Sequence, residues 1–365
     1  MPDTIEGRNP VIEALRSGRP LNKVLLARYV VPGSALSEIV ELSRSRKIPV
    51  EFVERRYIEK LAETSSHQGV IAYAAAKEYV TWEDLLAKRQ IADALFNMTQ
   101  DQTHHASTMA ALDAGYDVLL EKPMAPNVRE CDEILAAART SRGLLMVGHI
   151  CRFDPRVALA KQAIDEGRIG RIISMHARRN LSKTIGRQVL DKISALMGDG
   201  IHDADLMLWF SGARPLSVYA QEVHPGTNRY PDAGWAMFRL EGGAVGVVES
   251  VWHLPETTPY QIDARMEILG TEGAIYVNCG EAGLEIHDRH GPRMPDTMYW
   301  PKPFGQRFGI LRAELRYFAD CVSQGRKPER ITPEESRAAV ELMAAATESA
   351  RTGKVVCLGE GPGEE

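Results

Sequence analysis

The nine residues Asp117-Val118-Leu119-Leu120-Glu121-Lys122-Pro123-Met124-Ala125 constrain this chain most. An apolar run of this length, closed by a carboxylate, an ammonium and a proline, has the pattern of a buried parallel strand. Pro123 has no N–H to give to a ladder, so the strand stops there. Lys122 is therefore presented at a carboxyl edge, where open α/β sheets bind their ligands. A lysine in a loop is ordinarily a solvated charge, and the flanking segments decide between the two readings.

Those segments repeat the same unit. Asp93-Ala94-Leu95-Phe96-Asn97-Met98 reads as a strand, with Thr99 to His104 as its polar exit and an alanine-rich helix over 105–115. After the 117–122 strand, a helix over about 127–141 leads to Leu144-Leu145-Met146-Val147-Gly148-His149, another buried strand with a polar end. Short links between strand–helix units predict a parallel sheet with right-handed crossovers. Upstream, residues 9–90 read as three helix–strand repeats. Asn9 and Pro10 open a helix to Leu15 before a strand at 23–27. A helix over 34–46 precedes a strand at 48–53, and a helix over 55–63 precedes one at 70–74.

Composition excludes several classes. The 365 residues are 44% hydrophobic and 25% charged, as expected for a globular protein of two or three domains. No apolar run approaches the roughly 18 to 20 residues a membrane helix needs, and the first residues lack a secretory pattern. A cytoplasmic setting without a membrane partner is expected. Cys131, Cys151, Cys279, Cys321 and Cys357 are odd in number and scattered, which argues against a disulfide framework and a structural zinc site. Residues 1–90 hold 14 Lys and Arg against 12 Asp and Glu, a net +2, so the rest carries −7 of the total −5. A polyanion would meet the front of the chain.

Two resemblances follow from particular words. I-E-G-R-N-P-V-I-E-A-L at 5–15, I-P-V-E-F-V-E-R-R-Y at 48–57 and H-Q-G-V-I-A at 67–72 resemble the N-terminal substrate-binding module of SpoU-type (TrmH-like) rRNA ribose 2′-O-methyltransferases. That likeness implies RNA as a partner for residues 1–90, met at loop ends by Arg8, Asn9, His67 and Gln68, with His67 and Gln68 equally suited to closing a turn. The knotted methyltransferase domain of that family has no counterpart after residue 90, so methyl transfer is not expected. T-Q-D-Q-T-H at 99–104, E-K-P at 121–123, G-H-I-C-R-F-D-P at 148–155 and G-I-H-D-A-D-L-M-L-W at 200–209 resemble the Gfo/Idh/MocA oxidoreductases over about residues 92–357.

The resulting expectation is an α/β chain with four parts. Residues 1–90 form a small RNA-binding-like module and 91–150 a truncated Rossmann-type parallel sheet, in which the family strand order and the short crossovers imply 117–122 between 93–98 and 144–149. Residues 151–357 form an α+β domain with a large open mixed sheet, and 358–365 a disordered tail. The second resemblance implies NAD or NADP as cofactor and a sugar or polyol as substrate. It implies Lys122 and His202 as the catalytic pair, Arg152 and Asp205 framing the substrate, and Thr99, His104, Glu121 and Pro123 beside the cofactor. No metal is expected.

Two departures accompany it. The family often carries an aspartate four residues before the histidine, and here that position is Gly198, with Asp199 one place later. The Gly-x-Gly-x-x-Gly spacing that lets backbone approach a pyrophosphate occurs nowhere in residues 1–120. Three readings follow: an oxidoreductase impaired in cofactor binding, an RNA-binding protein, or an inactive fusion remnant. Strand 93–98 also needs a neighbour, either the 70–74 strand by way of a helix at 81–89 or a second subunit. The strands at 234–241 and 244–253 carry Trp235, Met237, Phe238, Val245, Val247, Val248, Val251 and Trp252, and are expected to self-associate through the open sheet face.

Overall fold

The computed structural model describes residues 4–28, 34–62, 67–74, 92–184, 186, 192–225, 229–279, 283–289 and 291–359. The helix expected at 81–89 and the tail from 360 onward lie outside these. The chain divides into two compact units, Met1–Leu85 and Leu86–Glu365.

The first unit holds β1 (Thr4–Glu6), α1 (Arg8–Arg16), β2 (Leu21–Ala27), α2 (Ser34–Ser45), β3 (Val50–Val53), α3 (Arg55–Leu61) and β4 (Val70–Ala74). Its sheet has the order β1-β4-β2-β3. The helix–strand repeats are as the periodicity predicts, but the short β1 is additional, and Gly7, at φ 95°, caps α1 in place of Asn9. Val11 and Leu15 of α1 pack with Val24, Ile39 and Val70 into a core of this unit's own.

The second unit opens with β5 (Ala94–Asn97), α4 (His104–Asp113), β6 (Asp117–Glu121), α5 (Val128–Thr140) and β7 (Leu145–Gly148). These strands form a parallel sheet in the order β5-β6-β7, with β6 central as expected. After α6 (Pro155–Asp165) come β8 (Ile172–Ser182), α7 (Ile201–Ser211), β9 (Pro215–Val223), β10 (Ala233–Leu240), β11 (Val245–Leu254), β12 (Ile262–Gly270) and β13 (Ala274–Asn278). The short β14 (Ile286–Asp288) and β15 (Gly291–Arg293) make a hairpin. Then follow α8 (Ile310–Gln324), α9 (Pro333–Thr352) and β16 (Val356–Cys357). The large sheet is mixed, in the order β13-β12-β8-β11-β10-β9-β16, with only the β8–β11 pair parallel. Pro333 at the first turn and a reciprocal Thr332–Glu335 capping box fix the start of α9. That helix lies against β9, α7 and α5. One core therefore runs from Val118 and Leu120 of the parallel sheet to Phe238 and Val248 of the large one.

Two expectations are corrected here. The 70–74 strand does not pair with β5, because β4 already has β1 on one side and β2 on the other. Among the described residues β5 is an edge strand, with Phe96 53% exposed and packed only in part on Phe318. The open-face list also mixes two faces. Strand alternation sends Phe238, Val248 and Trp252 into the core, whereas Trp235 and Met237 point outward. Among the described residues no helix is long and apolar enough to cross a membrane.

Candidate active site

The polar residues at the exits of β5, β6 and β7 hold one another in place. Asn97, the last residue of β5, donates to Ser107 Oγ at 2.8 Å and Thr108 Oγ1 at 2.9 Å, which ties the strand end to α4. Its side-chain Oδ1 accepts from Thr99 Oγ1 at 2.8 Å. The buried His104 ring spans the carbonyl oxygens of Pro123, at 2.7 Å from Nδ1, and Thr99, at 3.1 Å from Nε2. A neutral ring can donate to only one of them. Glu121 Oε2 accepts the Lys122 N–H at 2.9 Å. The four residues expected beside a cofactor thus gather at the carboxyl edge of β5 and β6, with His104 as a brace between the two strand ends.

Lys122 and His202 converge despite the 80 positions between them. Lys122 Nζ donates to the Gly198 carbonyl at 2.6 Å and lies 4.0 Å from Asp199 Oδ1. The same Asp199 oxygen is 3.8 Å from His202 Nε2. A π-turn over Leu196–Gly200 enters α7, and such irregularities recur at functional sites. Burial, first, and then the cations of Lys122 and Arg179 and the neighbouring His149 hold the His202 imidazolium well below the ordinary histidine range. A base that is neutral at pH 7 beside an ammonium can take a hydroxyl proton while the ammonium steadies the resulting oxygen anion. His202 Nδ1 and both ring nitrogens of His149 are buried without a hydrogen-bond partner among the described residues, the nearest ion-pair contact being His149 Nδ1 to Asp205 Oδ2 at 3.6 Å. Such groups need a polar guest, since leaving them unpaired is costly.

Arg152 and Asp205, expected to frame the substrate, are buried and paired with each other. Arg152 is fully buried, and its Nε and Nη2 form a two-pronged bridge to Asp205 at 2.9 and 2.7 Å. Nη1 donates to Glu335 Oε2 and to the Arg330 carbonyl, both at 2.8 Å, and the guanidinium lies over the Trp209 ring. The network joins β7's exit to α7 and α9 and leaves little donor capacity for a ligand. Arg179 does the same for β8, bridging Asp203 at 2.7 and 3.1 Å.

Sequence reasoning passed over His149, although its motif was in view, and Trp252, which it placed on the outer sheet face. It also passed over Glu314 of α8. Burial, and secondarily Glu121, pushes the Glu314 carboxyl up to about 8, and its Oε1 has no partner among the described residues.

In the first unit, Gly7, Arg8, Asn9, His67 and Gln68 meet around the start of α1. Gly7 N donates to the Val70 carbonyl at 3.0 Å, and Arg8 N to Gln68 Oε1 at 3.4 Å. His67 is buried and its Nδ1 accepts from Gly69 N at 3.1 Å, so it closes the turn before β4, and the exposed members are Asn9 and Gln68.

Comparison with known proteins parallels this division. Residues 157–276 match the GFO/IDH/MocA C-terminal domain. Residues 4–80 match the substrate-binding module of RNA 2′-O ribose methyltransferases. The chain is 28% identical over 273 residues to scyllo-inositol 2-dehydrogenase (NAD(+)) of Bacillus subtilis, which covers 73% of this chain and 78% of that protein. It is 26% identical over 279 residues to myo-inositol 2-dehydrogenase of Thermotoga maritima, covering 73% and 80%. The fold is that of Lactobacillus casei scyllo-inositol dehydrogenase, solved with NAD(H) and scyllo-inositol. That likeness has a TM-score of 0.65 at 18% identity and covers 96% of each chain. The GFO/IDH/MocA match begins in α6 and spans α7, so it includes His202 but not Lys122.

The buried titratable groups set opposing pH dependences. His149 and His202 have lowered folded-state values, so the unfolded chain binds more protons below about pH 6.5 and stability falls there. Glu314 is the opposite case. Its folded value is raised, so the stability it contributes at low pH is lost as pH climbs from about 4.5 toward 8. Urea unfolding of Glu314→Gln should match wild type near pH 5 and gain stability by on the order of 1 kcal/mol per pH unit between there and pH 8. A pH-independent difference would show that the carboxyl ionises normally.

Proposed function

We propose that the chain is a Gfo/Idh/MocA oxidoreductase that oxidises a carbinol of a cyclic polyol or sugar. The observation that carries this reading is the placement of Lys122 and His202 around one Asp199 oxygen, at 4.0 and 3.8 Å. A nicotinamide dinucleotide, when bound, supplies the hydride acceptor. The chain's own part is acid–base. Lys122 donates a hydrogen bond to the substrate oxygen and orients it, and His202 removes the hydroxyl proton as the C–H electron pair departs. Asp199 then lies between two cations, the ammonium and the new imidazolium, which lowers the cost of protonating a buried ring. The relatives' names point to inositols as first substrates and NAD as the first cofactor to try.

The reacting end of a dinucleotide suits the exits of β5 and β6, where Thr99, His104, Glu121 and Pro123 gather. The phosphates are served less well. The β6–α5 and β7–α6 turns carry no glycine-rich loop, and Asn127 and Asp154 already accept the first helical N–H groups there. The N-terminus of α4 has no side-chain cap, yet no glycine precedes it to let backbone come close. Each charge-assisted bond withheld from a phosphate is worth roughly 1.5 to 3 kcal/mol, so two or three weaken binding on the order of a thousandfold. Titration with NAD should give a dissociation constant on the order of millimolar, with inositol-dependent reduction seen only near saturation. Micromolar binding would show that the chain supplies the phosphate cradle elsewhere. Absence of turnover at saturating NAD with any inositol would favour an inactive remnant.

A second reading, RNA binding by the first unit, is favoured by the match over residues 4–80 and by the grouping of Arg8, Asn9 and Gln68 at one helix start. The unit would hold phosphates and unpaired bases without methylating them. Binding to a structured ribosomal RNA fragment should weaken steeply with salt and drop severalfold in Arg8→Ala. Salt-independent or absent binding would exclude it.

We further propose a homo-oligomer through the outer face of the large sheet. Cross-strand register puts Trp235, Met237, Val247, Leu269 and Tyr276 on that face, interleaved with Arg178, Glu249 and Glu267. Closed two-fold assembly is the commonest arrangement. Sedimentation should give a multiple of 40.4 kDa that falls toward that mass in Met237→Glu, and a monomer at micromolar concentration would refute the interface. The five free thiols and the absence of a membrane helix among the described residues fit a cytoplasmic setting.

A further inference from the structure

Resting on the hydride-transfer reading above, we propose that Trp252 is a positioning residue of this site, acting through Asp199. Trp252 lies on β11 with its ring buried against Leu181 and Ala195. Its indole N–H donates to Asp199 Oδ2 at 2.7 Å. The other oxygen, Oδ1, is the one that faces both Lys122 and His202. A carboxylate beside an ammonium ordinarily turns to meet it closely, which would occupy, beyond the donor already given to the Gly198 carbonyl, a second donor that the substrate needs. Holding Oδ2 on the indole fixes the carboxylate's rotation, and Oδ1 stays at 4.0 Å from Lys122 and within reach of the imidazole.

The backbone is built around the same ring. A Cβ at Gly198 would fall 2.7 Å from Trp252 Cη2 and 2.9 Å from Cζ2, closer than such atoms approach. The indole thus fills the side-chain space of the residue four before His202, and a carboxylate cannot be carried there. The acid stands at 199 instead, on the π-turn, and the Gly198 carbonyl accepts Lys122. Glycine at 198, the π-turn, the acid at 199 and tryptophan at 252 form one arrangement.

The test is the titration of the His202 ring, followed by NMR and assigned by its loss in His202→Asn. The groups facing it are Lys122, Arg179, His149 and Asp199, and of these only Asp199 is an anion that favours the imidazolium. In Trp252→Phe, which keeps a ring but removes the N–H, the carboxylate is free to turn toward Lys122. The His202 midpoint should then move to lower pH, and kcat should fall about tenfold. Asp199→Asn should move the midpoint in the same direction with a loss of about a hundredfold. The double variant Asp199→Asn/Trp252→Phe should behave as Asp199→Asn alone, because Trp252 has nothing left to act through. An unmoved midpoint in Trp252→Phe, or an effect equally large without Asp199, would reduce Trp252 to packing and overturn the inference. The titration is read whether or not an inositol turns over, so a failed substrate assignment leaves it intact.

Discussion

A guanidinium shut away from water must place its donors on partners, and Arg152 does so on Asp205, Glu335 and the Arg330 carbonyl. The rest of the candidate site depends on this one group. It fixes the segment after β7 that carries His149, the helix that carries His202 and the start of the last helix, which lies across both. Removing one partner of such a network leaves an uncompensated buried charge, a cost of roughly 3 to 5 kcal/mol, whereas the intact network adds little net stability. Its contribution is geometric. Asp205 is three residues after His202, so the turn of α7 that holds the ion pair also sets where the imidazole stands.

From that frame the chemistry follows by charge counting. Lys122 and Arg179 are cations near His202, and burial further disfavours a third positive charge. The ring is therefore neutral and able to accept a proton, yet it would be a reluctant acceptor without Asp199 nearby. Asp203, although adjacent in sequence, is already committed to Arg179 through both oxygens. The division of labour between the two aspartates follows from where each sits: Asp199 lies in the π-turn before α7 and meets the lysine, whereas Asp203 lies in the first turn of α7 and meets Arg179 of β8.

The parallel sheet was legible because each strand is a short apolar run closed by a polar exit, and because Pro123 marks where β6 must stop. The proximity of Lys122 and His202 was legible through their motifs, and both lie at 4.0 Å or less from one Asp199 oxygen. The pairing of Arg152 with Asp205 was not legible. In sequence two charged residues 53 positions apart look the same whether they face a cleft or each other, and the start of α9, whose Glu335 lies 183 residues beyond Arg152, packs onto the guanidinium. Trp252 was misplaced for a similar reason. Strand alternation separates Trp252 from Val251, but which of the two faces is covered depends on α7 and α9. The β1 strand was missed because three residues give no period to read, and Gly7 replaced Asn9 as the cap because its positive φ turns the chain directly from strand to helix. Each unit has its own core, and the two matched segments, 4–80 and 157–276, fall one in each.

In the proposed reaction Lys122 and His202 share one substrate oxygen. Groups that act as a unit lose their effect together, so their substitutions are strongly non-additive. The direct measurement is kcat for inositol oxidation at saturating NAD in Lys122→Met, His202→Asn and the double variant, with folding checked by circular dichroism. Each single change should lower kcat on the order of a hundredfold or more, and the double variant should be little worse than either. Single variants that retain most of the rate, or losses that simply multiply, would contradict a shared oxygen.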